Sequence, residues 1–384
     1  MHHNNAISLQ RIFPCKTVLN RGLCLVLLLL GSFTAVAQHT LPVKGQLVKP
    51  SHPAIQYVGR VSFQNPDSPA FRFPGIQINT DFEGTSVKML CKPQSGYFMV
   101  QIDQAEPFKV AFTGQQDSLV TLATALPRGR HSVRTMYCVE GLDFKPEFRG
   151  FVIDDDGQPL TPPALPQRTI EFIGNSITCA YGNEATFEGD HFSYATENHY
   201  YGYAQLTARA LQATPMVVAR SGIGVYRNYN GPKTGNVGED MPAHYDYTLF
   251  PDKTELWDFN RFTPQVVCIN LGTNDLSTNN YDLKLFKQAH WEFLQQVRSH
   301  YPKAKIVLLC GSMLNGKELE ACRQTLDQVM ADAHKANDKE VYRFDFTPQD
   351  GSLKYGADWH PSIWQHEKMA AELTAYLRTL MQWF

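Results

Sequence analysis

The segment GQPLTPPALPQ, Gly157 to Gln167, separates two stretches of sequence with different hydrophobic periods, and no single sheet or bundle accommodates both. Its four prolines lack the backbone donor that ladders and helix interiors use, so it reads as a boundary. Before it, the runs VSFQ, FRFPGIQI, TSVKML, YFMVQI, FKVAF, SLVTLA, HSVRTMYCV and FRGFVI follow one another closely between turn residues, with no helical spacing among them. That pattern predicts an antiparallel β-sandwich of jelly-roll type over residues 38–157. After it, TIEFI (169–173), MVVA (216–219), VVCIN (266–270), KIVLLC (305–310) and VYRFDF (341–346) alternate with stretches of helical spacing. Phe286, Ala289, Phe293 and Val297 form one such stretch; Met369, Leu373, Leu377 and Leu380 form another. Near-continuous apolar strands between helices predict a parallel sheet covered on both faces. The chain therefore reads as a multidomain β + α/β protein: a sandwich, a linker over 158–168, and a three-layer α/β/α domain over 169–384.

Length and charge narrow the classes. With 384 residues, 43% of them hydrophobic, the chain can bury two cores. Its 35 basic and 37 acidic residues form no long single-sign block, which leaves no electrostatic footprint for nucleic acid and favours a neutral partner. Near the start, Lys16 and Arg21 precede LCLVLLLL and then Ala35-Val36-Ala37, the order of a signal peptide over 1–37 cleaved after Ala37. The apolar run is shorter than the roughly 20 residues of a spanning helix, so the expected mature chain is exported, periplasmic or secreted, without membrane insertion. Six cysteines remain beyond that point, sparse for the length, and Cys268 and Cys310 fall in apolar runs where a buried free thiol is the simplest reading. No Cys-x-x-Cys or His-Glu-x-x-His spacing occurs, so neither a metal nor another cofactor is implied. Nothing signals an oligomer, and a monomer is the default.

Reacting groups in such a sheet collect at the carboxyl ends of its strands. There the chain places Ser176, then Ser221-Gly222, then Gly272-Thr273-Asn274-Asp275, and finally Asp358-Trp359-His360-Pro361 before the last helix. Each has an ordinary alternative: Ser176 or the Asn274-Asp275 pair as helix caps, Gly222 as a turn, His360 as a loop histidine. Their joint order supplies what acyl transfer needs, a hydroxyl nucleophile, a base and donors for an oxyanion. An α/β-hydrolase elbow would read Gly-x-Ser-x-Gly, but Thr178 follows Ile177 here.

FIGNSITCAYG, SGIGVYRNY, INLGTND and DWHPS together resemble the four blocks of the SGNH (GDSL-like) hydrolases. The resemblance is closest to carbohydrate esterase family 2, whose members join a jelly-roll domain to such a catalytic domain; YGYAQLTARAL and MPAHYDYTL extend it. It implies an exported acetyl esterase acting on acetylated plant polysaccharide or oligosaccharide, such as acetyl xylan or glucomannan, with 6-O-acetyl hexose units among its targets. By that resemblance Ser176 is the nucleophile, His360 the base, and the oxyanion donors are the Ser176 and Gly222 N–H groups with the Asn274 side chain. Two positions depart from the family pattern. Asn175 stands where aspartate is usual, and Ala357 stands three residues before the histidine, where the orienting aspartate is expected. Either Asp358 or a backbone carbonyl then orients the imidazole, giving a triad or a dyad.

Trp359, Tyr181, Tyr226 and Tyr229 are the aromatic candidates for stacking on a sugar ring, with Trp359 foremost because candidate catalytic residues flank it. Asp103, Glu140 and Asp154 to Asp156 in the sandwich read as turn and surface residues. Two rivals stay open at this stage. A glycan-binding protein with a degenerate hydrolase domain would lack catalytic parts that this chain has, and an esterase for a longer lipid or aryl acyl group would need a wide apolar pocket.

Overall fold

The computed structural model describes residues 44–384 apart from Asp117. The expected leader, residues 1–37, lies outside the described residues. No helix among the described residues is long and apolar enough to cross a membrane.

In the first half, alternating sequence becomes alternating burial. Along Gly129–Tyr137, His131, Val133 and Thr135 point inward while Ser132 and Arg134 are half-buried. One antiparallel sheet of four strands orders Gln46–Val48, Phe148–Ile153, Val87–Cys91 and Ser118–Ala123. The other orders Gln158–Leu160, Gln77–Gly84, Gly129–Tyr137, Gly96–Ile102 and Phe108–Phe112, and Gln56–Val58 also pairs with Gln77–Gly84. Aromatic edges fill the space between the sheets, with Phe71 meeting Tyr137 at 5.1 Å and Phe98 meeting Phe112 at 5.5 Å between ring centroids.

The linker reading needs correction at its start. Gln158–Leu160 pairs antiparallel with Asp81–Glu83, so the sandwich continues into the proline segment. Proline is tolerated because this strand is an edge, where a missing donor can face away from the ladder. The same reasoning covers Pro215, inside Ala213–Ala219, which is the edge strand of the second half.

The second half is a five-stranded parallel sheet in the order Ala213–Ala219, Arg168–Gly174, Val266–Asn270, Lys305–Cys310, Val341–Asp345. Helices Leu283–His300 and Gly316–Lys335 pack on one face, and Tyr203–Ala210 with Ile363–Met381 on the other. The first strand in the chain lies between the second and the third. This 2-1-3-4-5 order places the topological switch point at the carboxyl ends of Arg168–Gly174 and Val266–Asn270, directly before Ser176 and Asn274. All six described cysteines are buried and free.

The two halves are locked by polar groups withdrawn from water. Arg60, from the sandwich, and Glu171, from the first parallel strand, form a fully buried pair at 3.1 Å. Tyr245 Oη donates to the other Glu171 oxygen at 2.8 Å, and Arg60 donates to the Tyr245 and Tyr247 carbonyls. The guanidinium also lies over the rings of Tyr245, Phe259 and Trp257. Burial pushes the Glu171 carboxyl up, and Arg60 pulls it back.

Removing one partner strands a buried charge, so Arg60→Leu should cost about 3–5 kcal/mol of stability. Replacing both, Arg60→Leu with Glu171→Leu, should cost much less than that single change, and urea unfolding of the two variants reads the difference.

Candidate active site

Ser176 follows the first parallel strand as the first residue of the short helix Ser176–Cys179. The capping role belongs to Asn175, whose side-chain oxygen accepts from Ile177 N–H at 3.1 Å. The Ser176 hydroxyl is therefore free for another partner, and its Oγ lies 2.9 Å from His360 Nε2. The departure to asparagine at position 175 thus leaves a working cap.

His360 is the penultimate residue of the loop Tyr355–Pro361, whose first and last residues bridge antiparallel. Its Nδ1 lies 3.2 Å from both the Ala357 and Asp358 carbonyl oxygens. A carbonyl only accepts, so Nδ1 carries the proton and Nε2 presents its lone pair to the serine hydroxyl. Two successive residues in left-handed conformation, Asp358 (φ 48°) and Trp359 (φ 58°), aim those carbonyls at the ring.

Asp358 itself requires a correction. Its carboxylate turns away from the imidazole and instead accepts from Tyr181 Oη at 2.9 Å and Phe192 N–H at 3.1 Å, with His191 Nδ1 at 3.2 Å. What reaches His360 from this residue is its backbone. The position three residues before the histidine has no room for an acid: Ala357 is fully buried, and a Cβ added at Gly182 would meet Ala357 Cβ at 2.4 Å. Burial pushes His360 down to about 4, against the upward pull of the two carbonyls and the Asp358 charge.

Three donors face the same space as Ser176 Oγ. Among the described residues the Ser176 and Gly222 N–H groups donate to nothing, although Ser221 N–H is taken by Glu140 Oε2 at 2.8 Å. Gly222 has φ 76°, a conformation that favours glycine. The Asn274 amide donates one hydrogen to the Ile223 carbonyl at 2.8 Å and keeps the second. Beside it Asp275, fully buried and missed as anything but a cap, accepts from the N–H groups of Val225, Tyr226 and Arg227 at 2.9–3.1 Å. Burial raises Asp275 to about 6 while those three bonds oppose the rise.

A cleft of about 880 Å³ opens over Ser176, Gly222, Asn274 and His360. Trp359 (56% exposed), Tyr181 and Tyr229 line it. Tyr226 does not; it is buried against Phe286, and its hydroxyl accepts from Asp282 N–H at 2.8 Å. Tyr181 packs at a tilt of 30° against His360, with centroids 4.1 Å apart, and forms a wall beside the imidazole. A second cleft, about 840 Å³, opens near Arg168 and Ala213 at the amino ends of the strands and includes neither Ser176 nor His360. In the sandwich, Asp103 and Asp154 sit at turns, on Ser132 and on Thr85 and Ser86. Glu140 is no surface residue: it is 4% exposed and pressed against the second half.

Two family models match, Carbohydrate esterase 2 N-terminal over residues 57–163 and the GDSL-like Lipase/Acylhydrolase family over residues 172–368. The chain is 38% identical over 332 residues to the cellulase/esterase CelE of Acetivibrio thermocellus, covering 86% of this chain and 40% of that protein's length. It is 29% identical over 364 residues to an acetylxylan esterase / glucomannan deacetylase of Cellvibrio japonicus, covering 93% of this chain and 98% of the relative. A family two carbohydrate esterase from Clostridium thermocellum, solved in complex with cellohexaose, superposes with a TM-score of 0.80 at 38% identity, over 86% of this chain and 100% of its own.

A histidine whose folded value is depressed stays neutral below the ordinary 6.5. The His360 ring resonances, followed by NMR through an acid titration, should hold their neutral positions past pH 6 and move only near about 4.

Proposed function

For a chain that belongs to carbohydrate esterase family 2, with a GDSL-like hydrolase domain in its second half, we propose a serine esterase that removes O-acetyl groups from plant-type polysaccharides or oligosaccharides. The observation that carries this reading is the 2.9 Å contact between Ser176 Oγ and His360 Nε2 beside three unspent donors. Ser176 attacks the acetyl carbonyl as Nε2 takes its proton, and the carbonyl oxygen becomes an oxyanion among Ser176 N–H, Gly222 N–H and Asn274 Nδ2. The tetrahedral species collapses, the sugar oxygen leaves with the proton from Nε2, and an acetyl-enzyme remains on Ser176. Water then repeats both steps and releases acetate.

The imidazole works here as half of a dyad, held through Nδ1 by the Ala357 and Asp358 carbonyls. Asp358 acts through its backbone, and its carboxylate fixes the turn that aims it. Trp359 and Tyr229 offer the flat faces around the nucleophile on which a pyranose ring would rest, whereas Tyr181, packed between His360 and Phe192, has its ring faces taken. The acetylated glycans implied by the sequence agree with the acetylxylan esterase / glucomannan deacetylase of Cellvibrio japonicus and with the cello-oligosaccharide in the Clostridium thermocellum structure. Export through the leader at 1–37 completes the proposal, since such polymers lie outside the cell.

Acetate release from a panel of acetylated xylo- and manno-oligosaccharides, followed by NMR, tests the reading, and an inactive panel sinks it. Ser176→Ala should abolish release. Asn274→Ala should lower kcat by about 10²–10³. Asp358→Asn should cost less than about tenfold, where an acid on the imidazole would cost about 10⁴. With the base depressed to about 4, kcat/KM should stay level as pH falls through 6.5 and drop only as His360 takes its proton.

A further inference from the structure

Glu140 and Glu197 are buried carboxyls that no step of the proposed reaction uses. Glu140 belongs to the sandwich, three residues beyond the strand Gly129–Tyr137, yet its Oε2 accepts from Ser221 N–H at 2.8 Å. Ser221 immediately precedes Gly222, whose own N–H is an oxyanion donor. The same oxygen lies 3.9 Å from Cys179 Sγ, at the end of the helix that Ser176 begins. One carboxylate oxygen thus meets both segments that supply backbone donors to the cleft.

Glu197 supports this arrangement from behind. It is fully buried, its Oε2 accepts from Glu140 N–H at 3.1 Å, and its Oε1 has no hydrogen-bond partner among the described residues. Burial pushes both carboxyls up; the Ser221 hydrogen bonding and then Arg220 draw Glu140 back down while Asp143 pushes it up, and the Glu140 charge raises Glu197 further while the Glu140 N–H and Lys109 draw it down. Groups so costly to bury persist when the surroundings hold them in place.

We propose that Glu140 is a positioning residue for the Ser221–Gly222 turn, so that the sandwich domain sets the oxyanion geometry of the hydrolase domain. The bond fixes the peptide before Gly222 and spends the donor that immediately precedes it. The flanking bonds, Arg220 N–H to the Gly174 carbonyl at 3.2 Å and Tyr229 N–H to the Gly222 carbonyl at 2.8 Å, hold the residues on either side but not the Ser221 N–H, so without Glu140 this peptide can rotate and the Gly222 N–H drifts from the reacting oxygen. The inference rests on the esterase reading for its kinetic consequence but not for its structural one.

Two readouts keep those apart. Against acetylated xylo-oligosaccharide, Glu140→Ala should lose about tenfold to a hundredfold in kcat with KM unchanged, the mark of a misaligned transition-state donor rather than lost binding. Glu140→Gln keeps a carbonyl oxygen at the same reach and should retain most of the turnover. Hydrogen exchange of the peptide spanning Ser221–Gly222 should accelerate in Glu140→Ala and stay at the wild-type rate in Glu140→Gln. If Glu140→Ala does not fold, Glu140→Asp, which withdraws the carboxylate by one methylene, replaces it with the same expectations. Unchanged exchange at Ser221–Gly222 overturns the proposal whatever the activity, as does unchanged kcat in a folded Glu140→Ala enzyme. A wild-type chain inactive on every ester defeats the esterase reading alone, and the exchange rates still decide the role of Glu140.

Discussion

A backbone N–H can serve a developing oxyanion only if the fold leaves it unspent while satisfying the groups around it. The stretch from Ser221 to Arg227 meets that condition with buried acids at both ends. Asp275 takes the donors of Val225, Tyr226 and Arg227, Glu140 takes that of Ser221, and the Asn274 amide takes the Ile223 carbonyl. Gly222 is left between them with its donor free. Arg227, fully buried, ties the far end further by donating to the Asp275 and Ser277 carbonyls at 2.9 and 2.8 Å. The loop is irregular in shape but nearly saturated in hydrogen bonds, and this saturation gives a glycine turn the rigidity of an element.

His360, the proposed base, is held in a different way. A carboxylate on Nδ1 would both orient the ring and stabilise the imidazolium that forms; two carbonyls orient it and fix its tautomer while contributing only partial charge. The depressed His360 agrees with that difference, since burial dominates over the carbonyls and the averted Asp358 charge. In the proposed reaction a less basic imidazole gains less from taking the serine proton, which shifts a larger share of the stabilisation onto the Ser176, Gly222 and Asn274 donors. The turn that achieves this contains two left-handed non-glycine residues, each costing of order 1–3 kcal/mol. The contacts of Asp358 with Tyr181 and Phe192, themselves stacked at 4.2 Å, offset that cost from outside the turn.

What could be read from the sequence was what depends on local pattern. Alternation gave the sandwich, apolar runs between helical spacings gave the parallel sheet, and the residues after the first three parallel strands and before the last helix gave Ser176, Gly222, Asn274 and His360. What could not be read depends on partners distant in the chain or on backbone angles that side chains do not advertise. Pro159 reads as a breaker until one knows that its strand is an edge. Tyr226 and Tyr229 lie three residues apart in a loop without period, so nothing local says that the first is core and the second lines the cleft. Asp358 sits two residues from the base, but its positive φ reverses which of its atoms faces the ring. Glu140 looks like a turn residue because its partner at Ser221 is 81 positions away.

Those distant partners explain why the described residues form one compact unit although the sequence changes period once. Phe73 of the sandwich is buried in the same apolar cluster as Ile269 and Leu308 of the parallel sheet, Arg60 neutralises Glu171 inside it, and the Cys138 carbonyl accepts from His199 N–H at 2.8 Å. An interface built on buried ionic and polar groups tolerates little sliding, since every displacement leaves a donor or charge without its partner. An apolar interface of equal area would allow more. The sandwich therefore acts as a template for the cleft wall as well as a cover for the sheet's flank, and a parallel-sheet domain cut free of it would retain Ser176 and His360 while losing the contacts that fix the peptide before Gly222.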